Sequence, residues 1–276
     1  MLIEFTKMHG LGNDFVVIDA IRQKIYLTPE QVRFIADRHF GVGCDQVLLV
    51  EESSNSDADF RYRIFNADGS EVAQCGNGAR CFARFVRDKK LSDQDQVLVD
   101  TDAGQLLLSF EVDGLITVNM GIPEHNPVLI PLKSGQEEKF YSAEINGVEK
   151  VFGAVSLGNP HAVLQVKDVQ MAAVEEVGEA LESHPVFPER ANIGFMQIID
   201  RNKLKLRVYE RGAGETLACG SGACAAVVIG IEQQLLAHDV LVELPGGELK
   251  IQWQGRGYPV LMTGPAVSVY EGIIEL

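Results

Sequence analysis

Residues 63–79 read RIFNADGSEVAQCGNGA, and residues 207–223 read RVYERGAGETLACGSGA. Laid over each other without gaps at an offset of 144, they match Arg63 with Arg207, Ile64 with Val208, Phe65 with Tyr209, Glu71 with Glu215 and Cys75 with Cys219. Both cysteines open a C-G-x-G-A. At an offset of 146, GNDFVV (Gly12–Val17) lies over GNPHAV (Gly158–Val163), and Gln46 lies over Asn192. Agreement over so many positions points to a duplication: two halves of one chain, each with one cysteine in the same structural role.

Each copy reads as a strand (Arg63–Asn66 or Arg207–Glu210), a glycine-containing turn, the C-G-x-G-A and then a helix, over Ala79–Val86 or Ala223–Leu236. Most of the remainder reads as short β-rich runs divided by turn residues: Phe15–Asp19, Val47–Glu51, Gln96–Thr101, Gln105–Glu111 and Leu115–Met120, then Ala162–Val166, Ile193–Ile199, Val240–Leu244, Leu249–Trp253 and Tyr258–Thr263. Thr28 as N-cap with Gln31 three positions on predicts a surface helix over Pro29–His39. A second is expected near Val169–Leu181, with Glu175–Glu182 as its solvated face. Pro123–Lys150, rich in Pro, Gly and charge, reads as a connection between the halves. The apolar run Leu217–Ile231 is too short and too glycine-rich to span a membrane and reads as a helix buried on all sides.

Composition narrows the partners. The chain has 276 residues, 24 basic and 39 acidic, for a formal charge of −15. So acidic a chain is poorly suited to nucleic acid, which is held chiefly by Lys and Arg, or to an anionic membrane surface. Its start, MLIEFTKMHG, carries Glu4 and Lys7 and no apolar core of a secretory signal, so a reducing, cytoplasmic setting is expected. The five cysteines, Cys44, Cys75, Cys81, Cys219 and Cys224, cannot all pair within one chain and form no C-x-x-C of a zinc or thioredoxin site. Cys44, Cys81 and Cys224 lack a mirrored catalytic setting and read as packing residues.

The repeated motif has a chemistry of its own. Small residues at a helix start let a bound group approach the backbone, and the N–H groups of the first turn suit an anion such as a carboxylate. There is no Walker lysine and no completed G-x-G-x-x-G, which weighs against a nucleotide. A cysteine in that place is activated, although a helix terminus supplies only ~0.3–1 kcal/mol and at best ~2. A larger fall in its pKa needs a neighbour, for which His161 and Glu210 are the candidates. Two such cysteines related by a pseudo-two-fold axis suit inversion of a stereocentre: a thiolate removes a proton on one face while a thiol delivers one on the other, with no cofactor.

The stretches MHGLGNDF (Met8–Phe15), FNADGSEVAQCGNGARC (Phe65–Cys81), GNPH (Gly158–His161) and ERGAGETLACGSGAC (Glu210–Cys224) resemble the diaminopimelate epimerases, from the first residues to the last. The resemblance implies an α+β fold of two pseudo-symmetric halves, each a curved, mostly antiparallel sheet wrapped around a buried central helix. It places the halves at residues 1–119, joined by a returning strand at 265–276, and at residues 120–264. It further implies interconversion of LL- and meso-2,6-diaminopimelate for lysine and peptidoglycan precursors, without pyridoxal phosphate, a metal or any other cofactor. Cys75 would be the proton donor and Cys219 the acceptor, supported by His161 and Glu210. The binding positions would be Asn13, Gln46, Asn66, Gly76, Asn77, Asn159, Asn192, Glu210, Arg211, Gly220 and Ser221. A homodimer is implied, with Tyr270 as a dimer contact.

Glu210 and Arg211 lie over Asn66 and Ala67, so charge is where the copies diverged. One anion and one cation suit the ammonium and carboxylate of a non-reacting amino acid end. Two other readings compete: a racemase for proline or a similar small acid, which the Glu210–Arg211 pair disfavours, and a thiol redox sensor joining Cys75 to Cys219. Asn13, Asn66, Asn159 and Asn192 could also be ordinary loop-capping residues, and His161 a satisfied core histidine.

Overall fold

The computed structural model describes residues 1–73 and 75–276, and the chain divides into two compact units, Met1–Asn119 with Thr263–Leu276, and Met120–Met262. In the first unit, strand Asn13–Asp19 pairs antiparallel with Leu2–Gly10 and parallel with Gln46–Glu51. Gln46–Glu51 pairs antiparallel with Phe60–Asn66, which continues through the short strand Glu71–Val72 into helix Gly76–Asp88. Hairpin Gln96–Thr101/Gly104–Phe110 follows, its first strand parallel to Phe60–Asn66. The second unit repeats this order. Pro160–Gln165 pairs antiparallel with Val148–Ser156 and parallel with Asn192–Asp200, which pairs antiparallel with Lys203–Glu210. Gly214–Thr216, helix Gly220–Glu232 and hairpin Asp239–Leu244/Gly247–Gln252 complete it.

The registers match as well as the order. Phe15 stands opposite Gln46 as His161 stands opposite Asn192, and Phe65 faces Glu71 as Tyr209 faces Glu215. The arginines at equivalent strand positions close the same ion pair: Arg63 Nε reaches Glu71 at 2.6 Å, and Arg207 Nε reaches Glu215 at 2.5 Å.

Each inner strand is buried on both faces, which is why these runs are near-continuously apolar rather than alternating. In the first unit Val16, Ile18, Val47 and Leu49 pack with Val32 and Ile35 of the outer helix Pro29–Ala36. Phe15 and Ile64 point the other way, toward Gly78 of the central helix. In the second unit Ala162, Leu164, Ile193 and Phe195 pack with Val177 and Leu181 of helix Val174–Glu182. Gly222 of the second central helix meets Val208. That helix is buried from Gly222 to Gly230 without a polar stripe, as its composition requires.

Several elements differ from the sequence reading. The central helices start at Gly76 and Gly220, so the glycines lie inside the first turn and the cysteines are the N-caps. Helix Pro29–Ala36 keeps its capping box but stops three residues early, because Asp37 turns extended and its carboxylate accepts the His39 and Phe40 backbone N–H groups. The second outer helix begins at Val174, and its expected solvated face is interrupted: Glu182 is only 5% exposed. The expected connection over 123–150 contains one arm of hairpin Tyr141–Ile145/Val148–Ser156. The opening strand Leu2–Gly10 escaped the reading because its apolar residues are interrupted by charge; it pairs antiparallel with Val267–Glu275.

Candidate active site

In the first unit Cys75 caps the central helix with an extended backbone (φ −145°, ψ 121°), and its side chain makes no capping hydrogen bond. The thiol instead lies 3.8 Å from Asn13 Oδ1, the same oxygen that accepts from Asn77 Nδ2 at 3.3 Å. Gln46 and Asn66, opposite each other in the sheet, are joined from Nε2 to Oδ1 at 2.9 Å. The buried Tyr62 hydroxyl donates to the Cys75 carbonyl at 3.2 Å, fixing the residue that opens the helix. A Cβ at Gly78 would fall 2.5 Å from that hydroxyl, so only glycine fits there.

In the second unit Cys219 is the N-cap (φ −114°, ψ 107°), again with no side-chain capping bond. Its thiol donates to Glu210 Oε2 at 3.0 Å, and Glu210 Oε1 receives the Thr216 hydroxyl at 2.5 Å. Ser221 Oγ lies 3.8 Å from the sulfur and accepts from Asn159 Nδ2 at 3.3 Å. Asn159 Oδ1 is 3.0 Å from His161 Nε2. The Asn159–Ser221 contact is thus the repeat of Asn13–Asn77. A Cβ at Gly222 would lie 3.2 Å from the Cys219 sulfur.

Electrostatics overturn one expectation. A helix start and a nearby Glu210 were expected to favour the Cys219 thiolate. Instead burial, and after it the Glu210 carboxylate, push this thiol well above its usual range, opposed by the Gly222 N–H and the Ser221 side chain. A carboxylate stabilises the thiol by accepting its proton and destabilises the thiolate by repulsion. His161 is also changed by its surroundings: burial, and after it Arg211, lower its pKa to about 3, so the ring is neutral. With Nε2 facing Asn159 Oδ1, its buried Nδ1 has no hydrogen-bond partner among the described residues.

Asn192 joins the rest of the group. Its Oδ1 accepts the Arg211 backbone N–H at 2.9 Å and its Nδ2 donates to the Pro160 carbonyl at 3.2 Å. Buried Glu182 accepts the next N–H, that of Gly212, at 2.8 Å. These two side chains hold the turn that carries Arg211, whose exposed guanidinium reaches the Glu189 carbonyl at 3.1 Å. The structure therefore gathers Asn13, Cys75 and Asn77, beside the Gln46–Asn66 pair, in one unit. It gathers Asn159, His161, Glu210, Cys219 and Ser221, beside Asn192 and Arg211, in the other. Asp45, Arg80, Glu182 and Thr216 were not singled out from sequence. Glu182 looked like one more acid on a charged helix, and Thr216 stands over apolar Val72 in the repeat.

Cys44, Cys81 and Cys224 are buried, and burial pushes the Cys44 and Cys81 thiols up to about 12. Tyr270 is half exposed and meets Phe5 edge-on at 6.0 Å. Among the described residues no three His, Cys, Asp or Glu side chains cluster as metal ligands. No helix among them is long and apolar enough to cross a membrane.

This duplicated α+β arrangement is the fold of a class of solved proteins. The chain is similar to a PhzF-family phenazine biosynthesis protein of Bacillus anthracis, at 19% identity and TM-score 0.71 with both chains fully covered. It is similar to a hydroxyproline epimerase of Agrobacterium vitis, at 15% identity and TM-score 0.71, covering 99% of this chain and 92% of that one. A methylitaconate Δ-isomerase matches at 15% identity and TM-score 0.65, over 99% and 95% of the two chains. Within this class, the family model described as diaminopimelate epimerase matches residues 5–126 and 153–269, and the chain belongs to that family. It is an epimerase or isomerase of this superfamily.

Proposed function

We propose that the protein interconverts LL- and meso-2,6-diaminopimelate by moving protons between the substrate α-carbon and the two cysteines. The observation that carries this reading is the thiol set at the N-cap of the central helix in each unit, its side chain not used for capping. For the LL substrate, the Cys219 thiol passes its own proton to the Glu210 carboxylate it already bonds and, as the thiolate, takes the α-proton, while the Cys75 thiol delivers its proton to the opposite face; the roles of the two sulfurs exchange in reverse. The α-carboxylate of the reacting end lies at the helix starts Gly76–Asn77 and Gly220–Ser221. There first-turn N–H groups and the positive end of the helix stabilise the charge that develops as the proton leaves. No organic cofactor or metal takes part.

Asn13, Asn77, Asn159 and Ser221 orient the reacting end. The distal amino acid end takes Arg211 for its carboxylate and Glu210 for its ammonium, with Gln46, Asn66 and Asn192 beside them. His161, neutral and buried, supports the Cys219 side through Asn159. Glu210 has two tasks, since one of its oxygens holds the Cys219 proton. The chain is proposed to work as a homodimer with Tyr270 at the contact.

The test is a substrate panel. The purified protein is incubated with LL-diaminopimelate, L-proline and trans-4-hydroxy-L-proline, and stereoisomers are resolved by chiral chromatography. Conversion of the diaminopimelate alone is expected. Turnover of either imino acid with an unchanged diaminopimelate ratio contradicts the substrate assignment.

A further inference from the structure

The two asparagines beside Cys75 form a hydrogen-bond chain whose direction is set at both ends. Arg80 Nη2 donates to Asn77 Oδ1 at 3.0 Å; Asn77 Nδ2 donates to Asn13 Oδ1 at 3.3 Å; Asn13 Nδ2 donates to Asp45 Oδ2 at 2.9 Å. A guanidinium can only donate and a carboxylate can only accept. Both end groups are themselves held. Arg80 is completely buried and its Nε reaches the Pro265 carbonyl at 3.1 Å. Asp45 accepts from Arg38 Nη2 at 2.8 Å and from the Asp14 backbone N–H at 3.1 Å. Neither amide can reverse without losing a charge-assisted hydrogen bond. The atom that meets the Cys75 thiol is therefore the Asn13 oxygen, at 3.8 Å.

We infer that Asp45 is a positioning residue for Cys75: by anchoring the Asn13 amide it keeps a carbonyl oxygen, not an NH2 group, against the sulfur and so favours the proton-bearing thiol. The inference rests on the reading of Cys75 as the proton donor. It has a physical purpose there, because the helix N-terminus alone favours the thiolate and an acid must hold its proton until the substrate carbanion forms. The device belongs to one unit only. In the repeat, Asp45 falls over Ala191 and Arg80 over Cys224, so Asn159 lacks both charged ends and turns instead between Ser221 and His161.

Other titratable and charged groups face Cys75. The Tyr62 hydroxyl bonds its carbonyl, Cys81 and Arg80 lie on the same helix, and Lys7, Asp14 and Arg38 stand behind Asp45. A change at Asp45 leaves all of these side chains present.

The test reads the thiol directly. In Asp45→Asn the acceptor-only end of the chain is lost, so only the neutral bond from Asn77 Nδ2 at 3.3 Å still holds the Asn13 oxygen in place; turning the Asn13 NH2 toward the sulfur, which favours the thiolate, no longer costs a charge-assisted hydrogen bond. Alkylation of the full chain by iodoacetamide is followed against pH, with Cys75 and Cys219 peptides separated by mass. The Cys75 midpoint is expected to fall by about one pH unit in Asp45→Asn, while the Cys219 profile stays put. Asp45→Ser serves as the second variant, and circular dichroism identifies which variant retains the native fold. An unchanged or raised Cys75 midpoint in a folded variant overturns the inference. Because alkylation does not require turnover, an inactive native protein defeats the proposed function and leaves this result readable.

Discussion

The two units place the same element, a buried helix opened by cysteine, in different electrostatic settings. Cys75 meets the neutral oxygen of Asn13, whereas Cys219 meets the carboxylate of Glu210. The backbone scaffold is common to both: parallel inner strands, an Arg–Glu pair across the turn, and a glycine at the third helical position. The divergence lies in side chains at equivalent positions. Asn66 bonds Gln46, but its counterpart Glu210 turns to the thiol; Phe15 is core, but its counterpart His161 is a buried neutral ring. Duplication supplies two similar thiol sites, and substitution makes their surroundings unequal.

The largest effects are expected from removing either sulfur, and they should differ between units. Cys75→Ala and Cys219→Ala are each expected to lose inversion by about 10²–10⁴-fold, the usual contribution of one acid or base. Cys75→Ala should still exchange the α-proton of the LL isomer with solvent through Cys219, and Cys219→Ala should not. Proton NMR in deuterated water measures both, and equal exchange by the two variants removes the assigned direction.

Glu210→Gln sharpens the same contrast. Burial and the Glu210 charge both raise the Cys219 thiol, so losing the charge should lower its alkylation midpoint and leave that of Cys75 unchanged. Turnover should fall about 10²-fold, as expected when an acid–base partner is lost. Gly78→Ala and Gly222→Ala probe the two helix starts. The first collides with Tyr62 and the second presses on Val208 and the sulfur itself. Overpacking costs about 1–3 kcal/mol, so both should melt earlier. Only Gly222→Ala is expected to change thiol reactivity directly.

Acid should weaken the second unit first. Folded His161 refuses a proton down to about pH 3, whereas the unfolded imidazole accepts one near pH 6.5, so stability falls as pH drops between these values. In the first unit burial of Asp14 raises its pKa, but Arg38 and Lys7 outweigh this and hold it at about 2. Its contribution is complete above about pH 4 and is lost only below that, toward about pH 2. Hydrogen exchange near pH 5 should therefore show Asn192–Asp200 opening before Gln46–Glu51, and His161→Phe, which restores the residue type of its repeat partner, should narrow the gap. The reverse order contradicts this account. The smallest effect concerns the outer helices: Thr28→Ala removes a capping box and should cost about 1 kcal/mol by chemical denaturation. Ala173→Ser, at an N-cap with no side-chain bond, should add a few tenths.

Much of this was legible in the sequence because a duplication states its own symmetry. The offset between C-G-N-G-A and C-G-S-G-A located both helices, both turns and the inner strands, and the unequal pairs Asn66/Glu210 and Ala67/Arg211 marked where charge diverged. What remained hidden was long-range pairing. Asp45 reaches Asn13 across 32 positions and Glu182 reaches Gly212 across 30, and neither contact leaves a periodic trace. The direction of the Cys219 shift was hidden for a similar reason: a helix terminus is readable from sequence, but complete burial beside a carboxylate is a tertiary property.

The central claim is that two different thiols serve the two faces of one diaminopimelate α-carbon. Its most direct test follows LL-diaminopimelate in deuterated water early in the reaction, with deuterium located by mass spectrometry in each separated isomer. The account predicts deuterium at the inverted carbon of the meso product and protium in the remaining LL substrate, because the proton removed and the proton delivered reside on different sulfurs. Deuterium entering both isomers equally from the start, or no exchange by a fully reduced protein, would contradict it.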